Sequence, residues 1–172
     1  MLEERSIMPI EAIIDTLEQQ DALYSQMIEL ADQKTPALVK GDLDALNALL
    51  MKERKLVKAA GELEERRTTQ VNIHFSKLQL RLRSGKLADL IRTVSQPEDK
   101  QKLTEIQQEL SGKLERLRMK NEHNQQLLRQ SLEFIEFSLE LASDQPHDDY
   151  TYIHPQAGPG GYAKAGMFDR KG

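Results

Sequence analysis

The chain has 172 residues, 30 % of them charged and 5 % aromatic, and its net charge of -4 disfavours general attraction to nucleic acid or an anionic membrane. It contains no cysteine, which excludes disulfides and thiolate metal sites and is compatible with a reducing compartment. Its early acidic residues are unlike a signal peptide, and no apolar run approaches the roughly 18 residues of a membrane span, so we expect a cytoplasmic protein with no membrane insertion.

The first predicted helix covers about residues 9–34, where apolar side chains recur at helical spacing. Pro9 suits its first turn, because the N–H that proline lacks would have no partner there. Pro36 is predicted to end or kink this helix, since it removes an internal hydrogen bond and disfavours helical backbone in the residue before it. We expect a short turn over residues 37–40 to follow.

Gly41 and Asp42 indicate the junction with a second helix. Gly41 suits a left-handed C-cap, and Asp42 suits the N-cap of the helix that follows. The second helix is predicted over about residues 43–83, a length of about 60 Å at 1.5 Å per residue. A Ser-Gly pair then breaks it, and a short third helix is predicted over about residues 86–95.

The last long helix is predicted over about residues 97–143, with Pro97 in its first turn and acidic residues directly after it. Between Leu103 and Ala142, the residues of one face follow the alternating three- and four-residue steps of a coiled coil. Three long helices and a short one, joined by short turns, predict an all-α fold: an elongated antiparallel helical bundle or coiled coil.

The composition changes after residue 143. Residues 144–172 hold five of the nine glycines and three of the six prolines, both of which disfavour regular structure. We therefore predict a helical domain over residues 1–143, followed by a flexible tail with isolated aromatic residues.

Asn121 and Asn124 interrupt the seven-residue pattern of the last helix. In one interpretation they form a buried polar layer that fixes the register of the helices at some cost in stability. Gln20, Glu53 or Arg67 on the other long helices would then be their partners. In the other interpretation, the two asparagines mark the border between the bundle core and a ligand groove.

Beyond the asparagines, the apolar surface of the last helix is too wide for a single seam. At 100° per residue, the apolar side chains of residues 127–141 cover an arc of about 220°, against about 100° for an ordinary surface helix. One interpretation places this stretch centrally between two neighbours, with the short third helix as one of them. The other is an exposed patch that binds an amphipathic helix of another protein. The predicted binding residues are Leu127, Leu132, Phe134, Phe137 and Leu141.

No constellation of residues points to catalysis. The basic run from Arg66 to Lys86 is interleaved with glutamates and lacks aromatic stacking residues, so we interpret it as a solvated face and not as a nucleic-acid site. The four histidines do not show metal-ligand spacing with carboxylates, and phosphate loops and nucleophile elbows are absent. We expect no enzymatic activity, no cofactor and no metal.

Several stretches occur together in a characteristic order. They are Leu17, Tyr24 and Leu30 in the first helix, Ala37-Leu38-Val39-Lys40-Gly41-Asp42, Leu63-Glu64-Glu65-Arg66-Arg67, and Asn121-Glu122-His123-Asn124-Gln125-Gln126-Leu127-Leu128 leading into Phe134-Ile135. With these residues the chain resembles the FlgN family of flagellar export chaperones over about residues 10–142. The Gly- and Tyr-containing tail is not part of this resemblance.

The resemblance implies a cytoplasmic chaperone of the flagellar type III export system. Such a protein would hold hook-associated proteins, which form the hook–filament junction, unpolymerised and deliver them to the export gate. Its C-terminal helical part, which corresponds here to about residues 127–141, would bind them. Tyr150, Tyr152 and Phe168 of the tail are predicted either to cover the binding groove or to dock on the export gate.

A second class of function uses the same apolar residues. In this alternative the chain is a self-associating coiled-coil adaptor, and the wide apolar arc is a homodimer seam. A weak homodimer is also compatible with the chaperone hypothesis.

Overall fold

The computed structural model describes residues 9–79 and 86–143, which form four helices and, within these ranges, no strand. The helices are α1 (Pro9–Lys40), α2 (Leu43–Lys77), α3 (Leu87–Thr93) and α4 (Pro97–Ser143). The predicted all-α fold, with three long helices and a short one, is confirmed. Residues 144–172 lie outside the described residues, so the domain boundary and the tail stay predictions.

Helices α1 and α2 are antiparallel neighbours. The Thr16 hydroxyl donates a hydrogen bond to Gln70 Oε1 at 2.9 Å, and the Lys34 ammonium pairs with Glu53 Oε1 at 2.6 Å. Residue numbers therefore rise along α1 while those of its partners fall along α2, as in an αα-hairpin.

Helices α1 and α4 are parallel neighbours. Lys102 pairs with Glu18 at 3.0 Å, and further along both helices Lys120 pairs with Asp32. Residue numbers rise together on the two helices. Helix α1 thus lies between α2 and α4 and supplies the faces on which both pack.

The main core lies near the start of α1, where α2, α3 and α4 all contribute apolar side chains. Phe75, Leu90 and Leu103 are almost fully buried there, together with residues of α1. The core residues are Ile10, Ile13, Ile14, Leu17, Val71, Phe75, Leu90, Val94, Leu103, Ile106 and Leu110. The short helix α3 therefore packs against the beginning of α4 and not against residues 127–141, which corrects the hypothesis that it covers that stretch.

Helix α1 is longer than predicted. It continues through Pro36 to Lys40, so the predicted end near residue 34 and the turn over residues 37–40 are wrong. Pro36 is solvent-exposed and removes only the hydrogen bond to the carbonyl of Asp32, an exposed residue. Beyond the proline, Ala37 is buried against α1 and α2 side chains, and this packing holds the last turn.

The junction between α1 and α2 has the predicted chemistry. Gly41 has φ +66°, and the N–H groups of Gly41 and Asp42 donate to the carbonyls of Leu38 and Ala37. This is the Schellman pattern, in which a left-handed residue closes the helix. The Asp42 carboxylate then accepts a hydrogen bond from the Ala45 N–H and caps α2.

Helix α2 is shorter than predicted. It ends at Lys77 instead of residue 83, because Gln79 adopts φ +53° and its N–H bonds to the Ser76 carbonyl. No glycine or proline indicates this end, and the apolar spacing continues through Leu78. The residues between Gln79 and Lys86 lie outside the described ranges.

His74 connects the end of α2 to α3. The Thr93 hydroxyl donates to the Leu90 carbonyl, so it accepts from the His74 ring nitrogen Nε2, which lies 3.2 Å away. Burial, with a smaller effect from the charge of Lys77, lowers the pKa of His74 below its ordinary value of 6.5. The folded chain therefore favours the neutral imidazole.

We expect the free energy of unfolding to fall as the pH drops below about 6.5, because the unfolded chain then binds a proton that folded His74 resists. His74→Gln keeps a hydrogen-bonding side chain and should abolish this part of the pH dependence. Urea unfolding of the original chain and of the His74→Gln variant between pH 8 and 5 measures this pH dependence. Equal pH slopes for the two proteins would contradict the prediction.

Candidate functional site

The polar pair on α4 lies near the end of the bundle where α1 and α2 meet. Asn124 is buried, and its Nδ2 donates to the Ala31 carbonyl at 2.8 Å. Its Oδ1 accepts from the Thr35 hydroxyl at 2.7 Å. Both polar ends of the Asn124 side chain are thus satisfied by α1.

Asn121, one turn earlier, faces a groove of about 300 Å3 between the three long helices. Leu38, Leu50 and Leu128 line it together with the Lys34–Glu53 ion pair. The buried Oδ1 of Asn121 accepts no hydrogen bond from the described residues. The groove therefore combines an apolar wall with an unsatisfied polar atom.

The partners predicted for the asparagines are largely wrong. Gln20 and Arg67 both hydrogen-bond to Glu64 at another level of the bundle. Glu53 lines the groove beside Asn121 but pairs with Lys34. The true partners of Asn124 are Ala31 and Thr35 of α1. Ala31 lies inside the predicted helix, and Thr35 lies one residue beyond its predicted end.

The layer containing Glu64 has its own electrostatics. The Arg67 guanidinium donates to Glu64 at 2.9 Å and lowers the pKa of that carboxyl. Gln20 adds a second donor at 3.0 Å. Burial, with the charge of Glu64, raises the pKa of Tyr24. This polar layer lies along the α1–α2 contact and is separate from the asparagines.

Asn124→Ala should destabilise the bundle by about 1–3 kcal/mol, because it leaves the Ala31 carbonyl and the Thr35 hydroxyl without their buried partner. The exposed neighbour Gln125 supplies the control, and Gln125→Ala should change stability by less than about 0.5 kcal/mol. Denaturant unfolding compares the two variants. Equal stability losses would show that the Asn124 hydrogen bonds contribute nothing.

Helix α4 extends beyond the rest of the bundle. Asn124 lies level with Thr35, and α1 ends at Lys40, five residues further on. Because parallel helices share a rise of about 1.5 Å per residue, α4 passes the end of α1 about five residues after Asn124 and continues for about 21 Å. We call residues 127–143 the projecting segment.

The projecting segment exposes large apolar side chains. Phe134 is 70 % exposed and Phe137 57 %, whereas the core residue Phe75 is 1 % exposed. Every residue from Leu132 to Ser143 is exposed, and no described helix packs on this part of α4. Among the described residues, α1, α2 and α3 therefore do not supply the two neighbours that one interpretation places on this stretch. Contiguous exposed apolar surface of this kind is typical of an interaction site.

The sequence placed its five predicted binding residues on this segment. Leu132, Phe134, Phe137 and Leu141 are all more than half exposed, and Leu127 is half-buried where the segment leaves the bundle. Tyr150, Tyr152 and Phe168 lie outside the described residues. The binding role of these residues stays a prediction, and the structure adds that four of the five side chains are accessible.

Within residues 9–79 and 86–143, no group of three or more His, Asp or Glu side chains could hold a metal ion. Over the same ranges, no helix is both long and apolar enough to cross a membrane.

Comparison with known proteins decides the family. The model of the family described as FlgN protein matches residues 8–157, which is most of the chain. The chain belongs to the FlgN family. Membership makes this FlgN-family chain a chaperone of flagellar protein export, as the resemblance implied.

One curated relative of this FlgN-family chain is the uncharacterized protein YvyG of Bacillus subtilis (strain 168). The two are 32 % identical over 136 residues, which cover 78 % of this chain and 81 % of YvyG. No solved structure matches the chain significantly. The family match includes the whole of the projecting segment, so this segment is part of the family domain.

Proposed function

We propose that the chain is a cytoplasmic chaperone that binds hook-associated proteins through the apolar surface of its projecting segment. The observation that carries the proposal is the exposure of the two phenylalanines and four large aliphatic residues between Leu132 and Leu141. A helix that continues about 21 Å past its bundle gains little for the chain's own stability. It does present an accessible apolar surface to another protein.

Binding follows from the hydrophobic effect and needs no covalent chemistry. An amphipathic helix of the hook-associated protein would bury its apolar face against Phe134, Phe137 and Leu141. Each Å2 of apolar surface removed from water returns about 25 cal/mol, less the cost of ordering the captured segment. The same burial hides the face through which that protein would polymerise. Affinity is therefore moderate and reversible, which suits delivery to an export gate.

Co-purification tests the proposal. The tagged full chain, isolated from a flagellated host, should bring down a hook-associated protein identified by mass spectrometry. The control is the chain with Phe134→Asp and Phe137→Asp, which should lose that protein. Recovery of the same protein with both chains would place binding outside the projecting segment.

The self-associating adaptor uses the same surface, and oligomeric state separates it from the chaperone. The chaperone is expected to be a monomer, or a weak homodimer that dissociates when a hook-associated protein is added. Light scattering across a range of concentrations measures this. A tight dimer that buries Phe134 and Phe137 and persists beside the hook-associated protein would favour the adaptor.

We also propose that the chaperone delivers its substrate to the export gate and that the tail takes part in binding. Tyr150, Tyr152 and Phe168 come after the projecting segment in the sequence, and we propose that they either cover it or contact the gate. Removing residues 144–172 should raise the affinity for the hook-associated protein or abolish gate binding. Unchanged values of both would contradict both roles for the tail.

A further inference from the structure

The projecting segment carries two separate apolar stripes. At 100° per residue, the centre of one stripe lies about 135° from the centre of the other. The first stripe consists of Leu128, Leu132, Ile135, Leu139 and Ala142. The second stripe consists of Leu127, Phe134, Phe137 and Leu141. Each follows the three-, four- or seven-residue steps with which a helix packs against one partner.

Helix α1 packs between two partner helices, so the angle between its two contact faces provides a reference for the two stripes. Its side chains that bond to α2, such as Thr16 and Lys34, and those that bond to α4, such as Asp21 and Thr35, lie on two faces. The centres of these faces are about 120° apart on the same helical projection. The two stripes of the projecting segment have nearly this separation, whereas one partner helix covers about 100°.

The first stripe continues an interface that already exists. The buried residues of α4 within the bundle are Leu103, Ile106, Leu110, Leu117 and Asn124. On the helical projection they fall within about 40° of Leu128, the first member of the first stripe. A partner helix on the first stripe would therefore occupy the position that α1 leaves at Lys40.

The surfaces beside the stripes define the rest of the partner. Between the stripes lie Ser131 and Ser138, whose hydroxyls donate to the carbonyls of Leu127 and Phe134, so covering them leaves no donor unsatisfied. The opposite face carries the charged residues of the segment, three glutamates and one arginine, and the segment has a net charge of -2. Helices seated on both stripes would border these glutamates and would favour basic side chains at their edges.

We propose that the projecting segment holds two amphipathic helices of one partner molecule at the same time, one on each stripe, with basic residues beside their apolar faces. The proposal rests on the proposed function and specifies the form of its substrate. The segment then becomes the central helix of a three-helix layer, as α1 is within the bundle. Two helices joined in one chain bind together because the first raises the local concentration of the second.

Other occupants fit the surface less well. Two copies of the projecting segment would bring their negative charges together. The residues after Ser143 are rich in glycine and proline, the poorest helix formers, and their longest run without either is the eight residues 147–154. The projecting segment is about twice as long. Both occupants are outcomes of the experiment below.

Single-cysteine variants test the proposal cleanly, because the chain has no cysteine of its own. Leu139→Cys reports on the first stripe and Phe137→Cys on the second. The control is Val57→Cys on α2, which is 53 % exposed and lies outside the projecting segment. Leu139 and Phe137 are 64 % and 57 % exposed, so they start from similar accessibility. The probe is the purified hook-associated protein of the same organism, and maleimide alkylation is followed by mass spectrometry of this chain.

With the hook-associated protein at about ten times its Kd, alkylation of both Leu139→Cys and Phe137→Cys should slow about tenfold, because only the unbound fraction reacts. Val57→Cys should react at nearly its original rate. Light scattering should give one copy of each protein per complex. Hydrogen exchange should show two separate segments of the hook-associated protein protected by the complex. If a cysteine variant fails to bind, Leu132→Cys and Phe134→Cys replace it on the same stripes.

The contrary outcomes are distinct. Protection of only one stripe in a one-to-one complex would overturn the two-helix proposal and leave the proposed function intact. Binding without protection of either stripe would overturn both. Two copies of this chain in the complex would assign one stripe to a second copy. If a stripe is already protected from alkylation in the isolated chain, and this protection disappears when residues 144–172 are removed, that stripe is assigned to the tail. Either of these last two results overturns the proposal.

Discussion

Replacing Phe134 and Phe137 by aspartate should weaken binding of the hook-associated protein by at least about a hundredfold. Burial of each phenylalanine is worth about 1.5–3 kcal/mol, and a buried aspartate without a partner costs more. A loss of about 1.4 kcal/mol already lowers affinity tenfold. Isothermal titration of the double variant against the hook-associated protein measures the effect.

The same double variant should keep its helicity and its bundle. Both side chains are more than half exposed and lie beyond the end of α1, so their replacement removes no core contact. Circular dichroism should be largely unchanged. The matched control is Val57→Asp with Ile73→Asp, two exposed apolar residues of α2, which should bind normally. Unfolding of the Phe134 and Phe137 variant would show that these residues belong to the core.

Phe75→Ala should have the largest effect on stability, about 3–5 kcal/mol, because it opens a cavity in the main core. Phe75 is 1 % exposed and packs where all four helices contribute side chains. Total stabilities of single domains are about 5–15 kcal/mol, so the loss is a large part of what holds the bundle. Denaturant unfolding gives the value.

Phe134→Ala supplies the matched comparison, since it is the same chemical change on a side chain that is 70 % exposed. It should alter stability by less than about 0.5 kcal/mol, while weakening binding of the hook-associated protein. The pair of variants thus separates folding from function. Similar stability losses for Phe75→Ala and Phe134→Ala would contradict the division between the bundle and the projecting segment.

Local sequence signals predicted the junction between α1 and α2, but neither the continuation of α1 through Pro36 nor the end of α2. The Gly41-Asp42 junction follows from the left-handed conformation that glycine adopts and from the capping carboxylate of aspartate. Pro36 misled the prediction because a single lost hydrogen bond at an exposed carbonyl is offset by packing of Ala37. The end of α2 at Lys77 was missed because Gln79 carries no compositional sign of a turn.

The sequence identified the residues of the candidate site, but not which other helices would pack beside them. The width of the apolar arc identified residues 127–141 as more than an ordinary seam, because side-chain direction on a helix is fixed by residue number. Whether α1 or α2 covered that arc depended on where those two helices end. Of the two partners of Asn124, Ala31 lies inside the predicted first helix and Thr35 lies one residue beyond its predicted end, but which level of α1 faces Asn124 depends on the register of the two helices.

The sequence by itself determined the all-α class, the helix junction at Gly41, the two apolar stripes of α4 and the family resemblance. These follow from periodicity, backbone preferences and residue order, which are local properties of the chain. Only the tertiary structure decided that α1 is the central helix, that α3 covers the beginning of α4, and that α4 extends beyond the end of α1. Those facts depend on the relative register of distant helices, which is set by ion pairs and core contacts between residues far apart in sequence.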